Sequence, residues 1–516
     1  MIGRWPSRLG HGGGDPLLLP AAPRLTRSSA RDTYAARVFV NTMPRYEVLS
    51  EGSMAVLEEG WRSIVRDIGI EFQHEPALEL FRAAGQKVEG DLVRLDPDWV
   101  LEQVAKAPAE FPFIARNPER SRRFGGDNMI FVSVQSAPFV SEGSRRGDGT
   151  FDDYKRLVRL THMIDELDTP GYPICEAGDL PIDSRHLQML LTLYTDTDKP
   201  LGTAQFNPVG AGDSIAMAEI AFGREALERE PHMFGIANAN SPLRFDERML
   251  GSLMLLAAAN QVVVVTPFIL MGAMGPVSIP AALSQQIAEQ LAGICLAQLV
   301  RPGAPVVMGS FISHTDMQSG SPGFGGPEAA IGLFASGQIA RRFGLPWRAG
   351  GGALTSSQSV DAQAAFEGLN TMLPAFLAGA NLLLHTCGWL ESGLVASYEK
   401  FVLDIEIVRI LQAEFSPLEF TRAELVPDAF AEAGHGGHFF GTTHTLEHFR
   451  DCFYRPLLSS TENFQRWERL GGRDATERAG EIYKKTLEEY EEPPMEPAIR
   501  SELEDYVTRR RTELGD

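Results

Sequence analysis

The sequence predicts an α/β protein built on a (β/α)8 barrel, with helical additions before and after it. Length is the first observation behind this prediction, because 516 residues are enough to bury a large core. The second is a rhythm of eight short apolar runs alternating with helical patterns between residues 129 and 415. Eight strand and helix units are what the barrel requires, although a doubly wound sheet has the same local signals.

The chain divides into four parts by composition and periodicity. Residues 1–46 are rich in Gly, Pro and Arg, which predicts a flexible basic arm. Residues 47–128 have helical spacing and predict an N-terminal helical cap, with Asp96 and Pro97 as a helix start. Residues 129–415 form the predicted barrel, and the charged residues 416–516 predict a C-terminal helical extension.

The eight predicted strands are short, apolar and followed by breaks in the pattern. They cover residues 129–134, 171–175, 201–206, 233–237, 262–268, 305–311, 346–351 and 381–385. In the last of them the apolar residues end at His385, Gly388 breaks the run, and helical spacing resumes after Gly393. Because barrel active sites lie at the carboxyl ends of the strands, His385 is a candidate site residue.

Other strand ends supply amides and aromatic rings. Gln205, Phe206, Phe311, Trp347 and Arg348 fall at predicted strand ends, and Glu391 follows in a loop. Aromatic faces attract cations, although any one such ring is more often simply part of the core. The strand ends show no evident Ser-His-Asp arrangement, so the pocket suits binding and orienting a small polar molecule.

Composition excludes several classes of protein. The formal net charge of -21 argues against a nucleic-acid partner, because binding phosphates needs concentrated positive charge. No apolar run approaches the roughly 20 residues that span a bilayer, so we do not expect this chain to be a membrane protein. The four cysteines are widely spaced without a CxxC pair, which fits a reducing, cytoplasmic location.

One histidine cluster leaves a metal site open. His435, His438, His444 and His448 occur close together, and the last two have the i,i+4 spacing that can bind zinc on a helix. Neither an HExxH motif nor cysteines accompany them. A structural turn and helix start is therefore the favoured interpretation, and our prediction includes no metal.

Several long blocks resemble the trimethylamine methyltransferase family, whose members include corrinoid-dependent methyltransferases acting on methylamines and betaines. The blocks keep their order through nearly the whole chain after the basic arm. They are GAPVVMGSFISHTDMQSGSPGFGGPE (303–328), RRFGLPWRAGG (341–351), DAQAAFEG (361–368), GANLLLHTCGWLESGLVASYEKFVLDIE (379–406) and GGHFFGTTHTLEHFR (436–450).

The resemblance implies a barrel that receives a methylated amine, a separate corrinoid protein that carries the cobalamin, and a homo-oligomer. The trimethylamine branch contains pyrrolysine, whereas residues 348–361 here are all ordinary. This departure implies that the chain belongs with the branch of the family that is similar to glycine betaine:corrinoid methyltransferase. The alternatives are a trimethylamine or other methylamine demethylase, a zinc-dependent barrel enzyme, and an amine-binding protein without catalysis.

A quaternary ammonium leaves as a neutral amine when a methyl carbon is attacked, so the site must hold and desolvate its substrate but needs no general acid. Because they fall at predicted strand ends, we expect Phe206, Phe311 and Trp347 near the ammonium group of the substrate that the resemblance implies. We expect Gln205 and Arg348 to complete the substrate-binding set. His385 and Glu391 are the expected catalytic residues, His385 as a polar anchor and Glu391 as a supporting carboxylate.

Overall fold

The computed structural model describes residues 38–516 except 419 and 451. Its N-terminal region combines three helices with a small sheet, whereas the sequence predicted helices only. α3 begins as expected, because the Asp96 carboxylate accepts hydrogen bonds from the N–H groups of Asp98 and Trp99. The elements are α1 (Glu51–Ser63), a π-helical turn (Ile64–Ile68), β1 (Ile70–Phe72), α2 (Glu75–Ala83), β2 (Lys87–Glu89), β3 (Leu92–Arg94), α3 (Pro97–Val104), β4 (Phe111–Phe113) and β5 (Arg122–Phe124).

The predicted flexible arm falls mostly on residues 1–37, which lie outside the described part of the chain. Its last residues pack on the protein. The ring of Phe39 lies 6.0 Å from that of Phe131 and 5.6 Å from that of Phe376. Asn41 is buried and its backbone N–H donates to Asp127.

The central region repeats a strand and a helix, and most helices start close to where periodicity predicted them. Its elements are β6 (Ile130–Phe131), β7 (Phe139–Glu142), β8 (Arg145–Asp148), α4 (Phe151–Met163), α5 (Arg185–Asp196), β9 (Leu201–Gly202), α6 (Pro208–Phe222), α7 (Arg224–Arg229), β10 (Met233–Ala239), β11 (Arg244–Phe245), α8 (Glu247–Ala258), β12 (Val262–Pro267), β13 (Ile269–Met271), α9 (Ile279–Val300), β14 (Val306–Gly309), β15 (Ile312–Thr315), β16 (Pro322–Gly323), α10 (Pro327–Arg342), β17 (Trp347–Ala349), α11 (Ala362–Ala378), β18 (Leu382–Leu383), β19 (Trp389–Leu390), β20 (Val395–Ser397) and α12 (Tyr398–Glu414).

Seven of these strands form one parallel sheet in the order β6-β18-β17-β14-β12-β10-β9. Residues 169–175, which include the predicted second strand at 171–175, approach both edges of this sheet. On one side Thr169 bridges to Val132, and Ala137 to Cys175. On the other side a Cβ on Gly202 would stand 2.4 Å from the Gly171 carbonyl carbon. The sheet is therefore curled around the segment 169–175, with regular pairing across seven strands.

The hairpin β4–β5 fills the amino end of this curled sheet. Its three phenylalanines pack in one apolar cluster with the first residues of several strands, including Phe234 and Val262. The Phe113 and Phe234 rings lie 6.0 Å apart. Apolar side chains thus close the floor, and polar residues collect at the opposite, carboxyl end.

The C-terminal extension is largely helical. The ring of Tyr483 on α16 stacks 4.9 Å from that of Tyr398 on α12, and Arg510 on α17 pairs with Asp213 on α6 at 2.8 Å. Within the described residues, no helix is both long and apolar enough to cross a membrane. The helices are α13 (Pro427–Ala433), α14 (Thr443–His448), α15 (Phe464–Arg469), α16 (Ala475–Glu488) and α17 (Pro497–Glu513).

Candidate active site

A cavity of about 290 Å³ opens at the carboxyl ends of the parallel strands. Five of the residues singled out from the sequence line it, and they come from strands far apart in the chain: Gln205, Phe206, Phe311, Arg348 and His385. Other polar and aromatic lining residues are Gln135, Ser136, Tyr172, Asn238, Thr266, Phe268, Trp389 and Ser392. The curled sheet therefore brings these strand ends together around one small chamber.

Among the described residues that line the cavity, Arg348 is the only charged one, and it is 3% exposed. Its Nη1 donates to the Ser310 carbonyl at 2.9 Å, and its guanidinium carbon lies 5.5 Å from the centre of the Phe311 ring. No described residue accepts a hydrogen bond from its Nε, and no described carboxylate forms an ion pair with it. Burial lowers the pKa of Arg348 to about 9, so the group remains charged at neutral pH. The cavity therefore contains a buried cation without a counter-ion.

His385 is held in one orientation at the end of β18. Its backbone has a left-handed φ of 57°, and Nδ1 accepts a hydrogen bond from the backbone N–H of Gln135 at 3.3 Å. Burial, and then the charge of Arg348, hold the pKa of His385 well below its ordinary value of 6.5. The imidazole is therefore neutral at pH 7, with its proton on Nε2, and it acts there as a hydrogen-bond donor.

Aromatic rings form one wall of the cavity. Phe311 lies 4.6 Å from Phe268, and Trp389 lies 4.3 Å from His385, measured between ring centres. Trp389 Nε1 and the Thr266 hydroxyl are buried without a hydrogen-bond partner among the described residues. A ligand that accepts hydrogen bonds and carries an apolar or cationic end would satisfy both kinds of surface.

Two predicted site residues lie away from the cavity. Trp347 Nε1 donates to the Ser310 hydroxyl at 2.9 Å, and the indole packs against Gly337 of α10. Successive side chains of a strand point to opposite faces, so Arg348 faces the cavity and Trp347 faces the helices.

The carboxylate of Glu391 forms a two-pronged ion pair with Arg146, at 2.8 and 2.9 Å. Arg146 in turn lies over the Phe139 ring on the hairpin β7–β8, with its guanidinium carbon 4.1 Å from the ring centre. Glu391 therefore joins this hairpin to the loop that carries Ser392 and Gly393 into the cavity.

The set of site residues expected from the sequence did not include Trp389 and Tyr172, which line the cavity. Trp389 was visible as an aromatic residue directly after Gly388, four positions beyond His385. The direction of its side chain could not be read from the sequence, because β18 is only two residues long and the chain then turns into β19. Tyr172 lies near the start of the predicted strand 171–175, whereas site residues were sought at the carboxyl ends of the strands.

A fully buried ion pair beneath the cavity fixes two of its loops. The Asp404 carboxylate accepts the N–H of Gly388 at 2.9 Å and also binds Lys400, which donates to the Ala353 carbonyl at 3.2 Å. Burial raises the pKa of Asp404 to about 7. The loops after β17 and β18, which follow Arg348 and His385, are thus tied to α12.

The histidine cluster lies outside this cavity. His444 and His448 are exposed, with their ring centres 4.7 Å apart. Across the described residues, no group of three or more His, Cys, Asp or Glu side chains is placed to hold a metal ion. This region therefore gives the zinc-dependent alternative no geometric support.

Comparison with known proteins identifies the family. The model for trimethylamine methyltransferase (MTTB) matches residues 21–515. The chain belongs to the trimethylamine methyltransferase family. The family predicted from the sequence blocks is thus confirmed, and the match extends over the cavity and the C-terminal extension.

Within the trimethylamine methyltransferase family, the chain is 39% identical over 479 residues to a glycine betaine methyltransferase of Desulfitobacterium hafniense, covering 92% of this chain and 99% of that protein. A proline betaine:corrinoid methyltransferase of Eubacterium limosum is 26% identical, with 82% and 89% covered. Among solved structures, the hydroxylamine complex of MtmB matches with a TM-score of 0.48 at 10% identity, over 90% of each chain.

Proposed function

We propose that this protein transfers a methyl group from a small betaine, of which glycine betaine is the prototype, to a corrinoid carried by a partner protein. The observation that carries the proposal is Arg348, a buried cation facing the cavity without a counter-ion. A carboxylated substrate supplies the missing negative charge. Choline and trimethylamine carry a cationic group alone and would leave Arg348 unpaired.

The relatives support the same class of substrate. The relative that is 39% identical is named a glycine betaine methyltransferase, and others are named for proline betaine and L-carnitine. All three compounds combine a quaternary ammonium group with a carboxylate. A cavity of about 290 Å³ suits the smaller members of this class.

The roles of the lining residues follow from their chemistry. Arg348 and the Nε2 proton of His385 bind the carboxylate, and the Trp389 indole N–H is a further donor. Phe311 and Phe206 lie against the methylated ammonium, where each aromatic contact contributes roughly 0.5–2 kcal/mol. Trp347 and Glu391 support the site from outside the cavity.

The reaction requires no proton transfer from these residues. The corrinoid supplies the nucleophile; a carbon–cobalt bond forms, the carbon–nitrogen bond breaks, and nitrogen leaves with its electron pair as a neutral tertiary amine. A neutral His385 agrees with this chemistry, since it positions the substrate and has no need to titrate. The protein contributes by removing water from the substrate and by orienting its methyl group toward the acceptor.

The surface around the cavity mouth fits a docking partner. Loops that follow the parallel strands expose apolar side chains, which favours contact with a protein surface. These residues are Ile182, Val209, Val277, Met317 and Leu394. The corrinoid protein is the partner that must reach this mouth, because the methyl group is transferred there.

Three broader features belong to the same proposal. Residues 169–175 take the place of the eighth strand, which makes the curled sheet a complete (β/α)8 barrel. The protein is a homo-oligomer. It works in the cytoplasm, where its four free cysteines stay reduced and where reduced cobalt is maintained.

A panel of substrates tests the function. The protein is mixed with cob(I)alamin, free or on its partner, and methylcobalamin is followed in the visible spectrum. We expect methylation with glycine betaine and none with choline, which lacks the carboxylate. Turnover of trimethylamine alone would assign the protein to the methylamine demethylases, and failure of every amine would exclude the proposed activity.

A further inference from the structure

Residues 416–464 carry a concentration of exposed apolar side chains that the body of the protein lacks. Of the nine exposed phenylalanines among the described residues, seven lie in this stretch, and three exposed leucines accompany them. Their exposed fractions run from 44% to 85%. The set is Leu418, Phe420, Leu425, Phe430, Phe439, Phe440, Leu446, Phe449, Phe453 and Phe464. We call residues 416–464 the apolar arm.

The apolar arm has a fold of its own. It contains α13 and α14, and Thr442 begins α14 by accepting a hydrogen bond from the Thr445 N–H. The Phe430 and Phe439 rings meet edge to face at 5.3 Å. The backbone N–H groups of residues 457 and 458, near its end, donate to the Glu406 carboxylate on α12. The exposed rings therefore belong to a structured surface.

The exposed area matches that of a stable interface. A phenylalanine side chain buries about 150–250 Å², so the seven rings together expose roughly 700–1,200 Å². The largest apolar patch on a typical monomer is about 300–600 Å². A standard protein interface buries about 800 Å² on each partner. The summed area of the exposed rings is therefore larger than the largest apolar patch on a typical monomer and is enough for one side of a standard interface.

The start of the arm lies at the end of the sheet opposite the cavity. The arm follows α12, whose last residues include Phe415, and the Phe415 ring packs 5.4 Å from that of Phe376. Phe376 stands near the end of α11, shortly before β18 begins, and packs on Phe131 at 5.7 Å. The corrinoid partner must act at the opposite, carboxyl end.

We propose that the apolar arm is the surface through which two copies of this chain associate. A methyl acceptor has to come and go with each turnover, which would return roughly 1,000 Å² of apolar surface to water each time. A second copy is always present and covers the arm permanently, as in obligate homodimers with strongly apolar interfaces. The proposal names the surface of the homo-oligomer and is independent of the substrate.

Molar mass gives the first test. We expect wild-type protein to have at least twice the 56.6 kDa mass of one chain, by light scattering at micromolar and mass photometry at nanomolar concentration. The triple variant Phe420→Ser, Phe440→Ser and Phe453→Ser should have the mass of one chain. The matched control is Phe366→Ser, an exposed phenylalanine on α11 outside the arm, which should keep the wild-type mass.

Cys452 provides a second test inside the arm. It is exposed in the single chain, whereas Cys175, Cys295 and Cys387 are buried, so a maleimide reports on Cys452 alone in folded protein. Association through the arm covers this thiol, and we expect labelling of the wild type to be at least tenfold slower than labelling of the triple variant. If the triple variant does not fold, Phe440→Ser alone should raise the dissociation constant at least tenfold.

The outcomes separate the surface from the oligomer and from the function. A wild-type monomer at every concentration overturns the proposal, as does an oligomer whose mass and Cys452 labelling are unchanged in the triple variant. In that second case the protein is still a homo-oligomer, but its copies associate through another surface. A monomer that binds the corrinoid protein and loses this binding in the triple variant would assign the arm to that partner instead.

Discussion

Replacing Arg348 by methionine should weaken betaine turnover and stabilise the substrate-free protein. The substitution keeps an unbranched side chain and removes the charge. Losing one partner of a buried, hydrogen-bonded charge pair costs about 2–5 kcal/mol. The value of kcat/KM for glycine betaine should therefore fall roughly 30- to 5,000-fold, since each 1.4 kcal/mol is a factor of ten.

The gain in stability comes from removing a charge that is costly to bury when no substrate is bound. Burial lowers the pKa of Arg348 from 12.5 to about 9, so the folded state disfavours the charged guanidinium. The penalty is fully present below pH 9, where the group is charged in both states, and is relieved as the pH rises above 9. At pH 7 it amounts to a few kcal/mol, of which the lost bond to the Ser310 carbonyl offsets about 1 kcal/mol.

Thermal unfolding without substrate and initial rates with glycine betaine measure the two effects in one preparation. Arg66→Met is the control, because Arg66 is 58% exposed, pairs with its sequence neighbour Asp67 and does not line the cavity, so both quantities should change little. Arg348→Met with lower stability and lower activity would show that the arginine supports the fold. Unchanged kcat/KM would refute its role as the carboxylate anchor.

Two further predictions concern neighbouring residues. His385 is neutral when folded, so as the pH falls below 6.5 the unfolded chain takes up a proton that the folded chain does not, and stability declines. In thermal melts at pH 7 and pH 5, His385→Asn should show a smaller loss of stability between the two pH values than the wild type. His448→Asn, which changes an exposed histidine, should lose as much stability as the wild type. An equal loss in His385→Asn and the wild type would contradict the prediction. Trp347→Phe removes the donor to Ser310 and should lower the free energy of unfolding by about 1–3 kcal/mol without changing the KM for betaine; a raised KM would return Trp347 to the binding site.

The parallel strands were predictable because their apolar runs are fully buried and end in polar residues. Val262–Pro267 is an example, since all six residues are buried and the run could be seen without knowing its neighbours. The segment 169–175 shows the limit of this reasoning. Its composition suggests a strand, but its pairing depends on two isolated bridges that only the folded chain displays.

The candidate site was predictable only to the level of which strand ends contribute. Trp347 and Arg348 are adjacent, and the sequence gives no sign of which one faces inward, because a shift of register by one residue exchanges their faces. Glu391 was expected at the site, yet its carboxylate pairs with Arg146, which lies 245 positions away in the chain. Contacts between distant residues set the role of each side chain, and periodicity carries no information about them.

The phenylalanine hairpin at the amino end has a consequence for the order of events in catalysis. Because Phe111, Phe113 and Phe124 close the floor, the chamber is a well that is entered from its mouth. An acceptor protein bound over that mouth would block passage into and out of the chamber. Under the proposed function, betaine would enter before the acceptor docks and the demethylated amine would leave after the acceptor departs, so binding and release would follow a fixed order.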